Sequence, residues 1–523
     1  MPIKKYVADA DNTIVNAFQP NLETRGTGSN AGQADIVEVY SIYGRQASGS
    51  QELSRILVKF PVDSISTDRT SGIVPASGSV SFYLKLHNAE TSKTVPRDFS
   101  LTVEALSQSW QEGDGLDLIN YKDLTRGNIG SNWVYASKTQ TWNKVGGDYL
   151  TSSAQWDLAS EPPQYSQDFS TGLEDLEIDI TSLVENWMAG DLGNYGVGVK
   201  LSSSFEAYYS SSTGINTGSI IHNTGGATVS YYTKRMFARG TQYYFKKPVI
   251  EARWNDIKRD DRANFYYSSS LAPAEDNLNT LYIYNYVRGR LTNIPAVGIT
   301  GSIMVSLYSG SSDNSEPSGS RLILHNGATS LTGGYVSTGI YSCSVALTAS
   351  STPIKTLYDV WHSGSHSDEH AATTEFVTGS IKPKLLTGNL SVEKPVYFIN
   401  ITNLQNEYRK DENARFNVFM RNKFWSPSIY TKAKQDPEHS PVVSASYRVF
   451  RTLDALEAVP YNTGSDFATG LSYDVSGSYF EFDMKNLEPG YEYGFKFAFY
   501  DDENKTWKEQ NKVFKFRVLD YEY

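Results

Sequence analysis

The chain has 523 residues, with 58 acidic against 47 basic side chains, a formal net charge of -11 and one cysteine. This length sets an expectation of about three or four domains, and the acidic balance argues against a nucleic-acid partner, which needs a basic face. A single cysteine excludes an intrachain disulfide, and no run of about eighteen apolar residues supports membrane insertion.

Abundant Tyr, Phe and Trp, with Gly, Ser and Thr for turns and a mean hydropathy of -0.42, describe a soluble all-β protein. Met1 to Asp9 carries lysines but no apolar stretch of the kind an export signal needs, so no signal peptide is expected. Ser54 to Val62 alternates with Ile56, Val58 and Phe60 inward. Ser79 to His87 repeats the pattern with Val80, Phe82, Leu84 and Leu86, and Leu101, Val103 and Ala105 continue it. Ser109-Trp110-Gln111-Glu112-Gly113 and Thr141-Trp142-Asn143 fall in loops. Asp179 to Trp187 predicts a short helix, with Ser182 and Glu185 at capping-box spacing and Leu183, Val184 and Trp187 on one face. It feeds a core strand in which Val197, Val199 and Leu201 alternate with Gly198 and Lys200, and helix and strand together read as a sandwich edge. Long polar loops are expected over 114–131 and 202–226, and Val249 to Trp254 closes the first module.

In that order these pieces resemble the DNRLRE-type module, a jelly-roll-like β-sandwich related in shape to carbohydrate-binding modules, over roughly the first half of the chain. The run Lys5 to Phe18, with Asn21 to Asn30 behind it, resembles the start of structural proteins from T4-like marine phages and cyanophages. That resemblance implies a virion component without specifying its place in the particle.

Asn255 to Arg262 reads as a charged connector. A second β-domain follows, with strands over Leu281–Val287, Ser302–Tyr308, Tyr341–Leu347, Thr356–Trp361 and Phe376–Thr378. A third starts at Lys394. Its Asn486-Leu487-Glu488-Pro489-Gly490-Tyr491-Glu492-Tyr493 resembles the E–F corner of fibronectin type III and immunoglobulin-like domains. Phe495, Phe497, Phe499, Phe514, Phe516 and Val518 would point inward. The expected fold is therefore all-β, tandem sandwiches over 1–254 (jelly-roll-like), 255–390 and 391–523 (immunoglobulin- or fibronectin-like).

Candidate chemistry is sparse. His362, His366 and His370 would share a helical face able to hold zinc, but Gly364 and the neighbouring serines oppose a helix, so a polar loop competes with the metal reading. Cys343 alternates with Tyr341 and Val345 and reads as a buried thiol. The carboxylates Asp9, Asp11, Asp256, Asp260 and Asp261 lack the order of a calcium loop, and Asp501 to Lys505 reads as a hairpin turn. Lys246, Lys247 and Arg253, or Arg409, Lys410, Arg415 and Arg421, read as solvated strand faces before a basic binding face. Trp110, Trp133, Trp142 and Trp156 lie in loop-rich stretches where a pyranose could stack. Trp110 and Trp142 match core positions of the module resembled, which leaves Trp133 and Trp156 as glycan-binding candidates. No nucleophile elbow, P-loop or His-Glu-x-x-His is present, so no catalytic residue, cofactor site or enzyme activity is expected.

The leading expectation is a non-enzymatic structural protein of a tailed-phage virion, in tail, neck, baseplate periphery or fibre attachment. It would be made in the host cytoplasm and work through interfaces with other virion proteins, as a homo-oligomer or in several symmetric copies. A glycan-binding module reading host surface polysaccharide is the alternative, and a polysaccharide-degrading enzyme with an accessory sandwich is a further one.

Overall fold

The computed structural model describes residues 2–18, 28–43, 51–116, 130–150, 164–208, 223–268, 271, 273–310, 319–350, 352–363, 374–385, 396–424, 439–501 and 504–520. The fold is all-β, a series of sandwiches in two compact units. One comprises Pro2–Asn255 with Gly464–Ala468, the other Asp256–Thr463 with Thr469–Tyr523. The expected division at 390/391 falls outside the described residues.

In the first unit a four-stranded antiparallel sheet runs in the order Ile3–Val7, Val249–Arg253, Ser81–Leu86, Leu176–Asp179. The larger sheet runs Tyr231–Phe237, Ile36–Tyr43, Gln51–Lys59, Val197–Leu201, Phe99–Ala105, Gln164–Phe169, with Ala10–Val15 also paired to Gln51–Lys59. Phe82, Leu84 and Ile250 of the first sheet share one core with Ile56, Val58, Leu101, Val103 and Val199 of the second. The alternation expected over 54–62, 79–87 and 101–105 is thus present.

Val197–Leu201 is a core strand, as expected, but it is not at the sheet's edge. It lies between Gln51–Lys59 and Phe99–Ala105, pairing Val197 with both Val58 and Ala105. Short apolar alternation does not distinguish an edge from a centre, and Gly198 is the clue: a side chain there would meet the Tyr149 ring at 2.3 Å, because that ring covers the strand's other face.

Helix Thr181–Ala189 buries Leu183, Val184 and Trp187 and ends at Gly190 in the left-handed region, φ 81°. The capping box does not form. Asp179 Oδ1 accepts from the Thr181 amide at 2.9 Å and its hydroxyl at 2.6 Å, while Glu185 takes both guanidinium nitrogens of Arg69 at 2.5 and 2.6 Å. A second helix, Val62–Thr70, carries that arginine.

The second unit holds a six-stranded antiparallel sheet, in the order Asn279–Tyr284, Ile340–Val345, Leu331–Ser337, Ile303–Ser309, Leu357–Ser363, Thr374–Ile381. Leu281 and Ile381, from its two outermost strands, join one core with Tyr341 and Trp361, so the sheet curls on itself. Beyond it, Tyr397–Ile401, Asn413–Asn422, Gly477–Asp483 and Ser472–Asp474 form one sheet. The other runs Glu407–Arg409, Phe514–Leu519, Glu492–Asp501, Ala445–Arg451, Glu457–Val459, with Glu407–Arg409 parallel to its neighbour. This is an immunoglobulin-like strand arrangement. Aromatic rings fill it: Tyr447 stacks on Phe480 at 4.3 Å, and Phe495 on Phe516 at 4.7 Å. Thr506–Glu509 folds back on Glu492–Asp501, giving the hairpin expected around 501–505.

The charged connector Asn255 to Arg262, at whose start the two units divide, is hydrogen-bonded into the second unit. The Tyr473 amide donates to Lys258 O at 3.0 Å, the Asp260 amide donates to Tyr473 O at 2.9 Å, and the Tyr473 hydroxyl donates to Asp261 at 2.5 Å. Arg262 reaches the other way, to the buried carboxylates of Asp260 and Asp359 at 2.6 and 2.5 Å and to Tyr282 O. The segment straps the immunoglobulin-like sandwich to the curled sheet within one unit.

At the turn before Glu492–Asp501 the Tyr493 hydroxyl accepts from the Glu488 amide at 3.0 Å and donates to the Glu488 carbonyl at 2.8 Å. This is a tyrosine corner on the Leu-Glu-Pro-Gly turn. Tyr493→Phe is expected to lower the stability of the second unit by about 1–3 kcal/mol, since both Glu488 groups lose their partner. Urea unfolding should show a lower midpoint at unchanged m-value.

Candidate functional site

Leu53 and Leu57 point away from the main core and join a second cluster with Ile14, Leu106, Trp133, Trp142 and Tyr149. The loop that follows Ala105 therefore roofs the outer face of the large sheet. Arg55 lies under that roof, paired with Glu206 at 3.0 Å and donating to Gly146 O at 3.2 Å. Its guanidinium lies 5.6 Å from the Trp133 ring and 5.4 Å from Tyr149. Burial pushes the Tyr149 hydroxyl up to about 12.

Trp133 is 0 % exposed, so neither ring face is open to a pyranose, which corrects its assignment as a glycan platform. Period and loop context placed it at the surface; the physical reason it is inside is that Leu53 and Leu57 supply an apolar floor. Trp142 is buried too, donating to Asn132 O at 2.9 Å, and the half-buried Trp110 donates to Tyr195 O at 2.8 Å. Trp156 lies outside the described residues. Trp133→Ala is expected to destabilise the first unit by about 3–5 kcal/mol, read as a lower urea midpoint; an unchanged midpoint would restore the surface reading.

Asp11 is 1 % exposed and accepts from the Arg239 amide at 2.5 Å. Its own amide donates to Glu112, which grips the Arg239 guanidinium at 2.9 and 2.8 Å. Among the described residues no three His, Cys, Asp or Glu side chains are grouped to hold a metal. Burial first, then the Glu112 charge, push the Asp11 carboxyl from 3.8 up to about 6, against the Arg239 amide and charge. The folded chain holds this proton more tightly than the unfolded one. The contribution of Asp11 to stability is therefore greatest below about pH 4 and falls as pH rises through about 6. Asp11→Asn should accordingly gain on the order of 2 kcal/mol over wild type at pH 8 and little at pH 4. Paired urea titrations at the two pH values check this.

His362 sits on the strand Leu357–Ser363, buried, with Nε2 2.9 Å from the Ser306 hydroxyl, which Arg321 also contacts at 2.7 Å. Burial and the Arg321 charge hold its pKa below the ordinary value. It is thus not part of a solvated loop. His366 and His370 lie outside the described residues. Burial pushes the Cys343 thiol up to about 12, as befits an inert core residue. Arg253 is buried between Glu177 and Glu251, each at 2.6 Å, and Arg415 lies over the Tyr479 ring at 3.7 Å. Arg253 is thus not a solvated strand charge, whereas Arg415 remains partly exposed.

One exposed apolar element among the described residues is the hairpin Tyr286-Val287-Arg288-Gly289-Arg290-Leu291. Arg288 (φ 51°) and Gly289 (φ 78°) both have positive φ, the requirement of a type I′ turn. Tyr286 and Val287 are about half exposed. The Asn285 amide donates to Gly339 O, and the Tyr341 hydroxyl donates to Gly298 O while its ring meets Tyr335 at 6.0 Å. The hairpin therefore gathers with exposed Ile299, Tyr335 and Val336 at one end of the curled sheet. Tyr and Arg around an apolar centre are what protein interfaces favour. The Arg-Gly dipeptide after alternating Tyr282, Tyr284 and Tyr286 was the available sequence signal, masked because Arg is uncommon at that turn position.

No protein-family model matches the chain, and comparison with curated protein sequences finds no match. Among solved structures, a marsupial T cell receptor is 10% identical over 46% of this chain and 68% of its own, with TM-score 0.15. The Ig1-2 module of the Drosophila receptor protein tyrosine phosphatase DLAR is 9% identical over 46% and 90%, TM-score 0.13. A DUF4785 family protein from Legionella pneumophila is 8% identical over 92% and 90%, TM-score 0.13. At such scores these likenesses bear on neither fold nor function.

Proposed function

We propose that the chain is a non-enzymatic structural component of a tailed-phage virion that works through protein–protein interfaces, with the Tyr286–Leu291 hairpin as one contact. The observation that supports this reading is the hairpin's composition and exposure: an aromatic and two arginines on a turn whose Arg288 takes an unfavourable φ of 51°. The type I′ turn holds these side chains on an exposed tip. The resemblance of residues 5–30 to virion proteins supplies the particle, and the DNRLRE-like order of the first module is compatible with it. The glycan-binding alternative loses one of its two named residues, because Trp133 is interior.

Particles assembled with chain carrying Tyr286→Asp and Arg290→Glu should contain at least about tenfold less of it than wild type, as expected when hot-spot residues are lost. Its thermal unfolding should be unchanged, and Leu453→Asp, at another exposed site, should incorporate normally. Quantitative mass spectrometry of purified particles reads all three. Equal incorporation of the hairpin variant would remove this surface, and absence of the wild-type chain from particles would remove the virion reading.

A further inference from the structure

Lys234 occupies an inward position of the strand Tyr231–Phe237 and is 2 % exposed. Its Nζ contacts Asn88 Oδ1 at 2.7 Å, Gly172 O at 2.9 Å and Glu174 O at 2.7 Å, with the Phe169 ring at 4.9 Å. All three acceptors are uncharged oxygens. A buried ammonium with no carboxylate bonded to it is a costly arrangement, and one reaction available on the spot removes it.

We propose that the Lys234 and Asn88 side chains react to form an intramolecular amide cross-link. Neutral Nζ adds its lone pair to Asn88 Cγ and a C–N bond forms. The bond from Cγ to Nδ2 breaks, its electron pair leaving with nitrogen, and the proton shed by Nζ goes to that nitrogen, so ammonia departs. No oxidant, reductant or cofactor enters the balance.

Backbone geometry holds the two groups together. Asn88 bridges Met236 in antiparallel register, the Ala89 amide donates to Arg235 O at 3.0 Å and the Phe237 amide to His87 O at 2.9 Å. Lys234, two residues from Met236, projects from the same face. Asp175 Oδ1 accepts from the Asn88 backbone N–H at 2.7 Å while Oδ2 meets His87 Nδ1 at 2.9 Å, fixing the Asn88 backbone. Nζ lies 2.7 Å from Oδ1, one bond from the electrophilic carbon, so the two reacting side chains are in direct contact. Burial pushes the Lys234 ammonium down to about 8, against the Glu174 and Asp175 charges, so a neutral amine is populated near neutral pH. The linkage would join the end of Ser81–Leu86, in the smaller sheet, to the edge strand of the larger one. It would close a long loop as a disulfide does, in a chain whose one cysteine allows none.

Intact-mass measurement and peptide mapping of the full wild-type chain test this. The expected chain is one ammonia lighter than its sequence mass, with a branched peptide joining the segments that contain Asn88 and Lys234. Lys234→Arg should have full sequence mass. Asp175 acts as a positioning residue: Asp175→Asn should slow cross-linking at least tenfold after refolding, with Asp175→Glu restoring part of the rate. Wild-type chain of full mass, with Asn88 and Lys234 recovered in separate linear peptides after prolonged incubation, overturns the proposal. That readout does not depend on any variant folding.

Discussion

The strand Gln51–Lys59 is covered on both faces, and most of what is unusual in the first unit follows from that constraint. Ile56, Val58 and Phe60 face the core between the sheets, and Leu53 and Leu57 face the loop roof. Arg55 shares the second face and has no route to water. It is retained by Glu206 and by the Trp133 and Tyr149 rings, which replace hydration with a paired carboxylate and two π faces. Trp133, which looks like a surface residue, becomes core with Trp142 because the sheet beneath them is apolar on that side.

The immunoglobulin-like sandwich solves the same problem differently. Its inner faces carry Phe416, Tyr447, Phe480, Phe495 and Phe516 in mutual ring contact, each contributing about 1.5–3 kcal/mol by burial. Charge is kept to the border, where Asp261, Arg262 and Asp359 bind the strap. A strap of this kind works in both directions. Its backbone extends the sheet edge at Tyr473, and its side chains reach the curled sheet, so the two sandwiches cannot separate without exposing buried charge.

Local pattern carried the strands that alternate cleanly, the helix face at Leu183, Val184 and Trp187, and the tyrosine corner, because each depends on residues close in sequence. It carried Val197–Leu201 as a core strand but not its place inside the sheet, since that is decided by Phe99–Ala105 and Gln51–Lys59 arriving from elsewhere. The helix start went the same way: Ser182 and Glu185 had the right spacing, but Asp179 was better placed to accept, and Arg69 claimed Glu185. Asp260 and Arg262 look like a polar connector in sequence because a charge's partner, here Asp359, is distant along the chain. Lys234 was legible in principle, as a charge at an inward position between Tyr232 and Met236.

Buried cations among the described residues differ in their partners, and the difference bears on what each is for. Arg55, Arg253 and Arg262 each contact a carboxylate, so folding neutralises them in place. Lys234 has only amide oxygens around its Nζ. Arginine would keep its charge under any such burial, whereas a lysine can shed its proton and become a nucleophile. Lys234 thus combines the lack of a bonded carboxylate with a cation able to lose its charge, and an amide carbon lies beside it. A purely structural clamp would need neither property.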